Sequence, residues 1–220
     1  MDDGYAIAVA GTTIYQAGCA LDVKSSVRKM AVFQSMDEGK TWTRIMLYNN
    51  AGVAKAIAVR LGGKPLLFAG GQATAHNPTK SLLFKSMNGG ATWSEVTDLF
   101  GAAASVNAIC FDPSNSKRVL VAADNGIWLS EDEGVTWTPP TQKQVMSSVV
   151  ANSSKPGQFF AGSKEGVWMS NDGGRSWTEY GNGLTDRDIT RLEIDVKNSL
   201  LYAGTQHAGV MRLSLKGQSK

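Results

Sequence analysis

The feature that most constrains the fold of this chain is an eight-residue motif that occurs four times. Each copy reads Ser-x-Asp/Asn-x-Gly-x-Thr/Ser-Trp, and the copies occupy residues 35–42, 86–93, 130–137 and 170–177. Their tryptophans, at positions 42, 93, 137 and 177, lie 51, 44 and 40 residues apart. Repeats of roughly 40–50 residues are typical of four-stranded propeller blades. The spacing therefore predicts an all-β repeat fold, specifically a β-propeller.

Each residue type in the motif has a structural reason to occur in a tight turn. An Asp or Asn side chain accepts hydrogen bonds from the backbone two residues on, and Gly adopts positive φ without steric cost. The Thr or Ser begins the next strand, and the Trp covers the hairpin with a large apolar ring. We therefore do not regard the box aspartates as a carboxylate cluster that could form a site. A structural role is assigned to Asp37, Asn88, Asp132, Asp172, Trp42, Trp93, Trp137 and Trp177.

Three apolar strands precede each motif and a fourth follows it, here called strands A, B, C and D. A fifth unit has strands A, B and C but neither the motif nor strand D. We predict one propeller domain over residues 1–220, most simply five-bladed, whose last blade is incomplete or closed by another strand. The predicted blades are residues 4–46, 54–97, 105–140, 145–181 and 188–215.

Composition excludes several classes of protein. The net charge of +3 is too small for a nucleic-acid-binding face. Two cysteines without a CxxC pair and two histidines give no metal-site pattern, and no cofactor motif is present. No apolar run approaches the roughly 20 residues of a membrane helix. We predict no metal, no cofactor, no nucleic acid and no membrane span. Asp2 and Asp3 leave no room for a signal peptide in this chain, so its localisation stays open.

The motifs and their spacing resemble the Asp-box superfamily, also called bacterial neuraminidase repeats, over about residues 4–215. That group includes sialidases, xyloglucanase-like glycosidases, sortilin-type receptors and propeller-type photosystem assembly factors, and its members are often secreted or extracytoplasmic. Asn88 departs mildly from the family's Asp but keeps its turn-forming ability. The resemblance implies a β-propeller fold without specifying a function, because one fold supports many functions.

Loops at the end of the blades opposite the Asp boxes are the predicted binding surface, because loops on a rigid scaffold commonly carry function. The B–C and D–A loops hold polar residues of mixed sign. From these loops we select as candidates for ligand or partner binding Arg28, His76, Asn77, Asp186, Arg187 and His207.

Strand A adds two more candidates, since its side chains alternate between the core and the other face. The residues predicted to face the core are Ile7, Ile57, Ile109, Val149 and Leu192. The alternate positions are small or apolar in four blades, whereas the fifth offers Arg191 and Glu193. These two could pair with each other or bind a ligand.

A sialidase site requires three convergent arginines and a nucleophilic Tyr, and usually an Arg-Ile-Pro segment. The nearest match, residues 44–46, lacks the proline and lies in strand D. A glycosidase needs two carboxyl groups within about 10 Å, which sequence cannot pair. We therefore predict a non-catalytic binding or scaffolding propeller that recognises a protein or glycan through the B–C and D–A loops. The alternatives are a xyloglucanase-like or sialidase-like glycoside hydrolase or a fragment of one. A homodimer through the edge of the last blade is also predicted.

Overall fold

The structure is a computed structural model that describes residues 3–60, 65–74, 81–96, 104–181 and 183–215. Over these ranges the chain forms seventeen β-strands and no helix. The strands pair antiparallel with their neighbours in sequence, as the repeated strand pattern predicts. The chain divides into two compact units, Met1–Ile109 and Cys110–Lys220.

The first unit contains one sheet whose strand order follows the sequence. Its fourth strand is long because it serves two repeats. The N-terminal part of that strand pairs with β3 (Ala31 opposite Leu47), and its C-terminal part pairs with β5 (Ile57 opposite Ala69). The strands are β1 (Asp3–Ala10), β2 (Thr13–Asp22), β3 (Val27–Ser35), β4 (Thr43–Arg60), β5 (Leu66–Ala73), β6 (Ser81–Ser86) and β7 (Ser94–Glu95).

Three further sheets follow along the chain. The first has the order β10-β9-β8 and consists of β8 (Val106–Asp112), which crosses the boundary between the units, β9 (Asn115–Ala123) and β10 (Gly126–Ser130). The second consists of β11 (Met146–Ala151), β12 (Phe159–Ser163), β13 (Gly166–Ser170) and β14 (Thr178–Tyr180). The third consists of β15 (Ile189–Asp195), β16 (Leu200–Thr205) and β17 (Val210–Ser214).

The third repeat lacks a full strand D. Only an isolated bridge between Leu129 and Thr138 marks its position. Pro139 and Pro140 follow at once, and proline has no backbone N–H with which to extend a ladder. The strand therefore stops after one residue.

Apolar side chains from successive strands form a core within each unit. In the first unit, Ala17, Val32 and Leu67 are fully buried in one cluster. In the second unit, Phe160, Val167, Leu192, Leu201 and Ala203 form a cluster between the β11–β14 sheet and the β15–β17 sheet. Removing this apolar surface from water stabilises the packed sheets.

The prediction for strand A is right for three repeats and wrong for the first. Ile57, Val149 and Leu192 are buried, and Ile109 is half-buried. Ile7, however, is 65% exposed, whereas Ala6 is 8% exposed and belongs to the core cluster. Because neighbouring side chains in a strand point to opposite faces, burial of Ala6 puts Ile7 on the outer face of β1.

Candidate functional site

The two ends of each sheet carry different connections. Because neighbouring strands are antiparallel, the A–B and C–D connections lie at one end, here the box end, and the B–C and D–A connections lie at the other, here the loop end. In the β11–β14 sheet, the box end holds residues 152–158 and 171–177. Its loop end holds residues 164–165, and the connection to β15 begins there at Gly181.

The fourth Asp box shows how the motif holds its turn. Ser170 Oγ donates to Asp172 Oδ1 at 2.8 Å, and Gly174 N donates to Ser170 Oγ at 2.9 Å. The backbone N–H of Ser176 donates to Asp172 Oδ1 at 3.0 Å, and Trp177 Nε1 donates to the Gly174 carbonyl at 3.1 Å. The side chains of Ser170, Asp172 and Trp177 are thus hydrogen-bonded within their own turn.

The box carboxylates are stabilised in their ionised form. Hydrogen bonds from the hydroxyl and backbone N–H of Thr41 lower the pKa of Asp37 to about 2. Burial opposes ionisation of Asp132 and Asp172, yet hydrogen bonds to each outweigh that burial and lower the pKa of both to about 2. Asn88 makes an equivalent contact without charge, because its Nδ2 donates to Thr92 Oγ1 at 2.8 Å. None of these carboxyls is poised to exchange a proton near neutral pH.

At the loop end of the second unit, the structure brings together Asp186 and His207. Asp186 Oδ2 accepts hydrogen bonds from the backbone N–H groups of His207 at 2.8 Å and Ala208 at 3.0 Å, while Oδ1 accepts one from Asp188 at 3.1 Å. The His207 N–H is the strongest cause of the lowered pKa of Asp186. Asp186 therefore ties the connection before β15 to the β16–β17 turn. The His207 side chain is 75% exposed.

Arg187 lies beside this tie and is anchored to the neighbouring sheet. Its Nε donates to the Glu165 carbonyl at 2.6 Å, and its Nη2 forms an ion pair with Glu179. A Cβ at Gly166 would lie 3.2 Å from Arg187 Nε, so the guanidinium packs closely over the start of β13. Sequence reasoning missed Glu179, because a carboxylate in a short strand D gives no sign that a loop arginine reaches it.

Arg191 and Glu193 are both exposed on β15. Over the residues that the structure describes, no ion pair joins them to each other or to a third residue. Their alternation on the strand puts both on the face opposite Leu192, whose side chain is buried. Both side chains are therefore available to a ligand, since neither forms a salt bridge within the described residues.

The remaining candidates belong to the first unit or fall outside the described residues. Arg28 is exposed on β3, with Nη1 3.8 Å from Cys19 Sγ. Next to it, Lys29 forms an ion pair of 2.7 Å with Asp22, and this contact is the main cause of an Asp22 pKa of about 2. His76 and Asn77 lie outside the described residues.

Two cavities of the second unit are lined in part by residues of the box end, a location that sequence analysis did not propose. The first cavity has a volume of about 230 Å³, and its walls include Leu129, Glu131, Pro140, Gly174, Arg175 and Trp177. The second cavity has a volume of about 440 Å³, and its walls include Lys155, Gln158, Met169, Asn171, Tyr180 and Leu215. Ligand pockets in proteins commonly measure about 300–1,000 Å³, which includes only the second cavity.

The displaced pKa values of the described carboxyls share one direction. Each carboxyl whose pKa is displaced has it lowered, as for Asp22, Glu131, Asp186 and Asp195. A glycosidase acid needs the opposite displacement. Among the described residues, no group of three or more His, Cys, Asp or Glu side chains could hold a metal ion. Those residues also include no helix long and apolar enough to cross a membrane.

A family model described as "Sortilin, neurotensin receptor 3" matches residues 80–210 of the chain. No curated protein matches the sequence. The family match and the structural neighbours below agree with the resemblance to sialidase-like and sortilin-like propellers.

Solved propeller structures are similar to this chain at low sequence identity. An ancestral GH74 enzyme superposes with a TM-score of 0.69 at 19% identity, covering 91% of this chain and 27% of that one. The extracellular domain of a putative one-component system from B. thetaiotaomicron superposes with a TM-score of 0.68 at 12% sequence identity. The match covers 96% of this chain and 27% of that one. The WD40 β-propeller domain of Doa1 superposes with a TM-score of 0.63 at 12% sequence identity. The match covers 97% of this chain and 65% of that one. The chain thus spans about a quarter of the first two proteins. The similarity confirms an all-β, propeller-type fold.

Proposed function

Because the chain belongs to the family described as "Sortilin, neurotensin receptor 3", we propose that it is a non-catalytic binding or scaffolding propeller. It recognises a protein or a glycan through the loop end of its sheets. The five-bladed arrangement and the blade boundaries given above are part of this proposal.

One observation carries the proposal, namely the rigid loop end of the second unit. Asp186 joins two loops through the backbone N–H groups of His207 and Ala208, and Arg187 joins the same segment to the turn before β13 and to Glu179 of β14. His207 exposes its side chain in the turn that Asp186 holds, and Arg191 and Glu193 expose theirs along β15. Exposed polar groups on immobilised loops lose little conformational entropy on binding, which favours recognition.

A glycan array and a pull-down screen test this proposal. We expect the triple variant Arg191→Ala, Glu193→Ala, His207→Ala to lose at least about tenfold in affinity for whatever partner the screens identify. Lys197→Ala is the matched control, because Lys197 is exposed in the turn after β15, at the box end. Equal binding by the triple variant and the wild type would rule out this part of the loop end.

The second candidate is a glycoside hydrolase, which the similarity to an ancestral GH74 enzyme favours. In that case the acids to test are Glu179, whose carboxylate pairs with Arg187, and Glu165, whose backbone carbonyl accepts a hydrogen bond from Arg187. We expect no release of reducing sugar from xyloglucan and no hydrolysis of a sialoside. Activity that disappears in Glu165→Gln or Glu179→Gln would establish the hydrolase instead.

A homodimer through the last sheet is the proposed assembly. Within the described part of the chain, β17 has β16 as its one partner strand, so its other edge is open to a further strand. Val210 on this strand is strongly exposed. Light scattering coupled to size exclusion should give a dimer mass that falls on dilution, and a monomer mass at every concentration contradicts the proposal.

A further inference from the structure

The two cavities of the second unit occupy equivalent positions relative to their sheets. In each, one wall is built by the residue before the box serine, the residue after it, and the residue three positions beyond the box tryptophan. These are Leu129, Glu131 and Pro140 in the first cavity and Met169, Asn171 and Tyr180 in the second.

The opposite walls differ because only one of them contains an Asp box. In the first cavity, Gly174, Arg175 and Trp177 of the fourth box form the facing wall, and Arg175 Nη2 reaches Glu131 Oε1 at 2.6 Å. The fifth repeat has no box, and Leu215 is the residue from that repeat on the second cavity's wall. The second cavity is the larger of the two, about 440 Å³ against about 230 Å³.

A chain of amides gives the second cavity an oriented hydrogen-bond donor. Asn152 Nδ2 donates to Gln158 Oε1 at 2.7 Å, and Gln158 Nε2 donates to Asn171 Oδ1 at 2.9 Å. Gln158 is only 9% exposed, so its burial holds this series of hydrogen-bonded amides in place. With its oxygen accepting from Gln158, Asn171 turns its amide nitrogen away, and the described residues give that nitrogen no acceptor.

The cavity also carries a cation without a counter-charge. Lys155 lines it and makes no ion pair with any residue that the structure describes. No Asp or Glu lines the cavity, while Met169, Phe160 and Leu215 supply apolar wall. A lysine and an amide N–H above an apolar wall match a ligand with a carboxylate at one end and an apolar body at the other.

We propose that the second cavity is a binding site for a small organic acid. Its carboxylate contacts Lys155 Nζ and Asn171 Nδ2, and its aliphatic or aromatic body lies against Met169 and Leu215. This site is at the box end, so it is separate from the loop-end surface proposed above and stands or falls independently of it.

Calorimetric titration with 3-phenylpropionate tests the site, with 3-phenylpropanamide as the uncharged probe of the same shape. We expect saturable binding of the acid in the high-micromolar to millimolar range and at least about tenfold weaker binding of the amide. Lys155→Met and Asn171→Asp should each weaken the acid at least about tenfold. Both residues are exposed, so neither change should prevent folding.

Lys164→Met is the matched control, because Lys164 is an exposed lysine of the same sheet at its loop end. It should bind the acid as the wild type does. The proposal is overturned if the acid shows no saturable binding up to about 10 mM. It is equally overturned if the amide binds as tightly as the acid, or if Lys155→Met and Asn171→Asp leave the affinity unchanged.

Discussion

The first and second cavities show what an Asp box does besides holding its own turn. Both lie at the same place on their sheets, yet the fourth box packs Trp177 and Gly174 into the first, and the fifth repeat supplies no box for the second. The box is therefore also a plug between neighbouring sheets. In the second cavity the described residue of the fifth repeat is Leu215, and Lys155 and Asn171 belong to the β11–β14 sheet on the other side.

The largest effect that tests this comparison is expected from Trp177→Ala. Trp177 is 8% exposed, so its removal should cost about 3–5 kcal/mol of unfolding free energy and enlarge the first cavity. Trp42 holds the same place in the first box but is 40% exposed, and Trp42→Ala should cost about 1–2 kcal/mol. Urea denaturation measures both. Equal losses would mean that the tryptophan does not act as a plug.

Gly174→Ala should cost somewhat less, about 2–4 kcal/mol, for two reasons. Its φ of +90° is strained for any side chain, and an added Cβ would lie 2.6 Å from Leu120 Cδ2. Gly183→Ala measures the cost of the backbone strain alone, because Gly183 has φ +99° and nothing lies within 4 Å of its Cβ position. This change should cost about 1 kcal/mol of unfolding free energy. Thermal melts measure the loss of stability in both variants, and the difference between the two losses is the cost of the contact with Leu120. No difference between them would contradict close packing of the box.

The ion pairs at the rim of the first cavity should contribute still less to the free energy of unfolding. Glu131 Oε1 joins Arg118 at 2.8 Å and Arg175 at 2.6 Å. Because Glu131 and Arg175 are largely exposed, a double-mutant cycle with Glu131→Gln and Arg175→Met should give a coupling of about 0.5–1 kcal/mol that falls as salt is added. A coupling that does not change with salt would mean that the contact is not electrostatic.

The smallest effect is expected in the pH dependence of stability. The ionised side chain of Asp172 is favoured in the folded chain, where its pKa is about 2 in place of 3.8. Its contribution is therefore complete above about pH 4 and is lost as the pH falls towards 2. Asp172→Asn, which copies the natural Asn88, should make stability less dependent on pH in this window. An unchanged acid profile would show that the box carboxylate is not stabilised by its turn.

Much of the fold could be predicted because it depends on local chemistry. The box residues act within eight positions, so Asp37 and Asp172 make the contacts that their spacing suggests. The first strand was predicted wrongly because Ile7 and Val9 alternate with Ala6 and Ala8, and both sets are apolar. Periodicity alone cannot decide between two apolar faces.

The candidate sites were less predictable because they depend on which turns meet. Asp186 accepts a hydrogen bond from His207, 21 positions away in the sequence. The polar residues of the loops indicated this surface, but not the hydrogen bonds that hold it. The second cavity gave no signal at all. The missing fifth box is visible in the sequence, yet the wall formed by Lys155 and Asn171 depends on two separate connections of one sheet.

The most direct test of the comparison is a backbone amide NMR titration of the full chain with 3-phenylpropionate. The account predicts saturable shift changes at Lys155, Asn171 and Leu215, which line the second cavity, and none at Glu131 and Arg175, which line the first. Equal changes at both cavities, or none at either, would contradict the claim that the second cavity, and not the first, is a binding site.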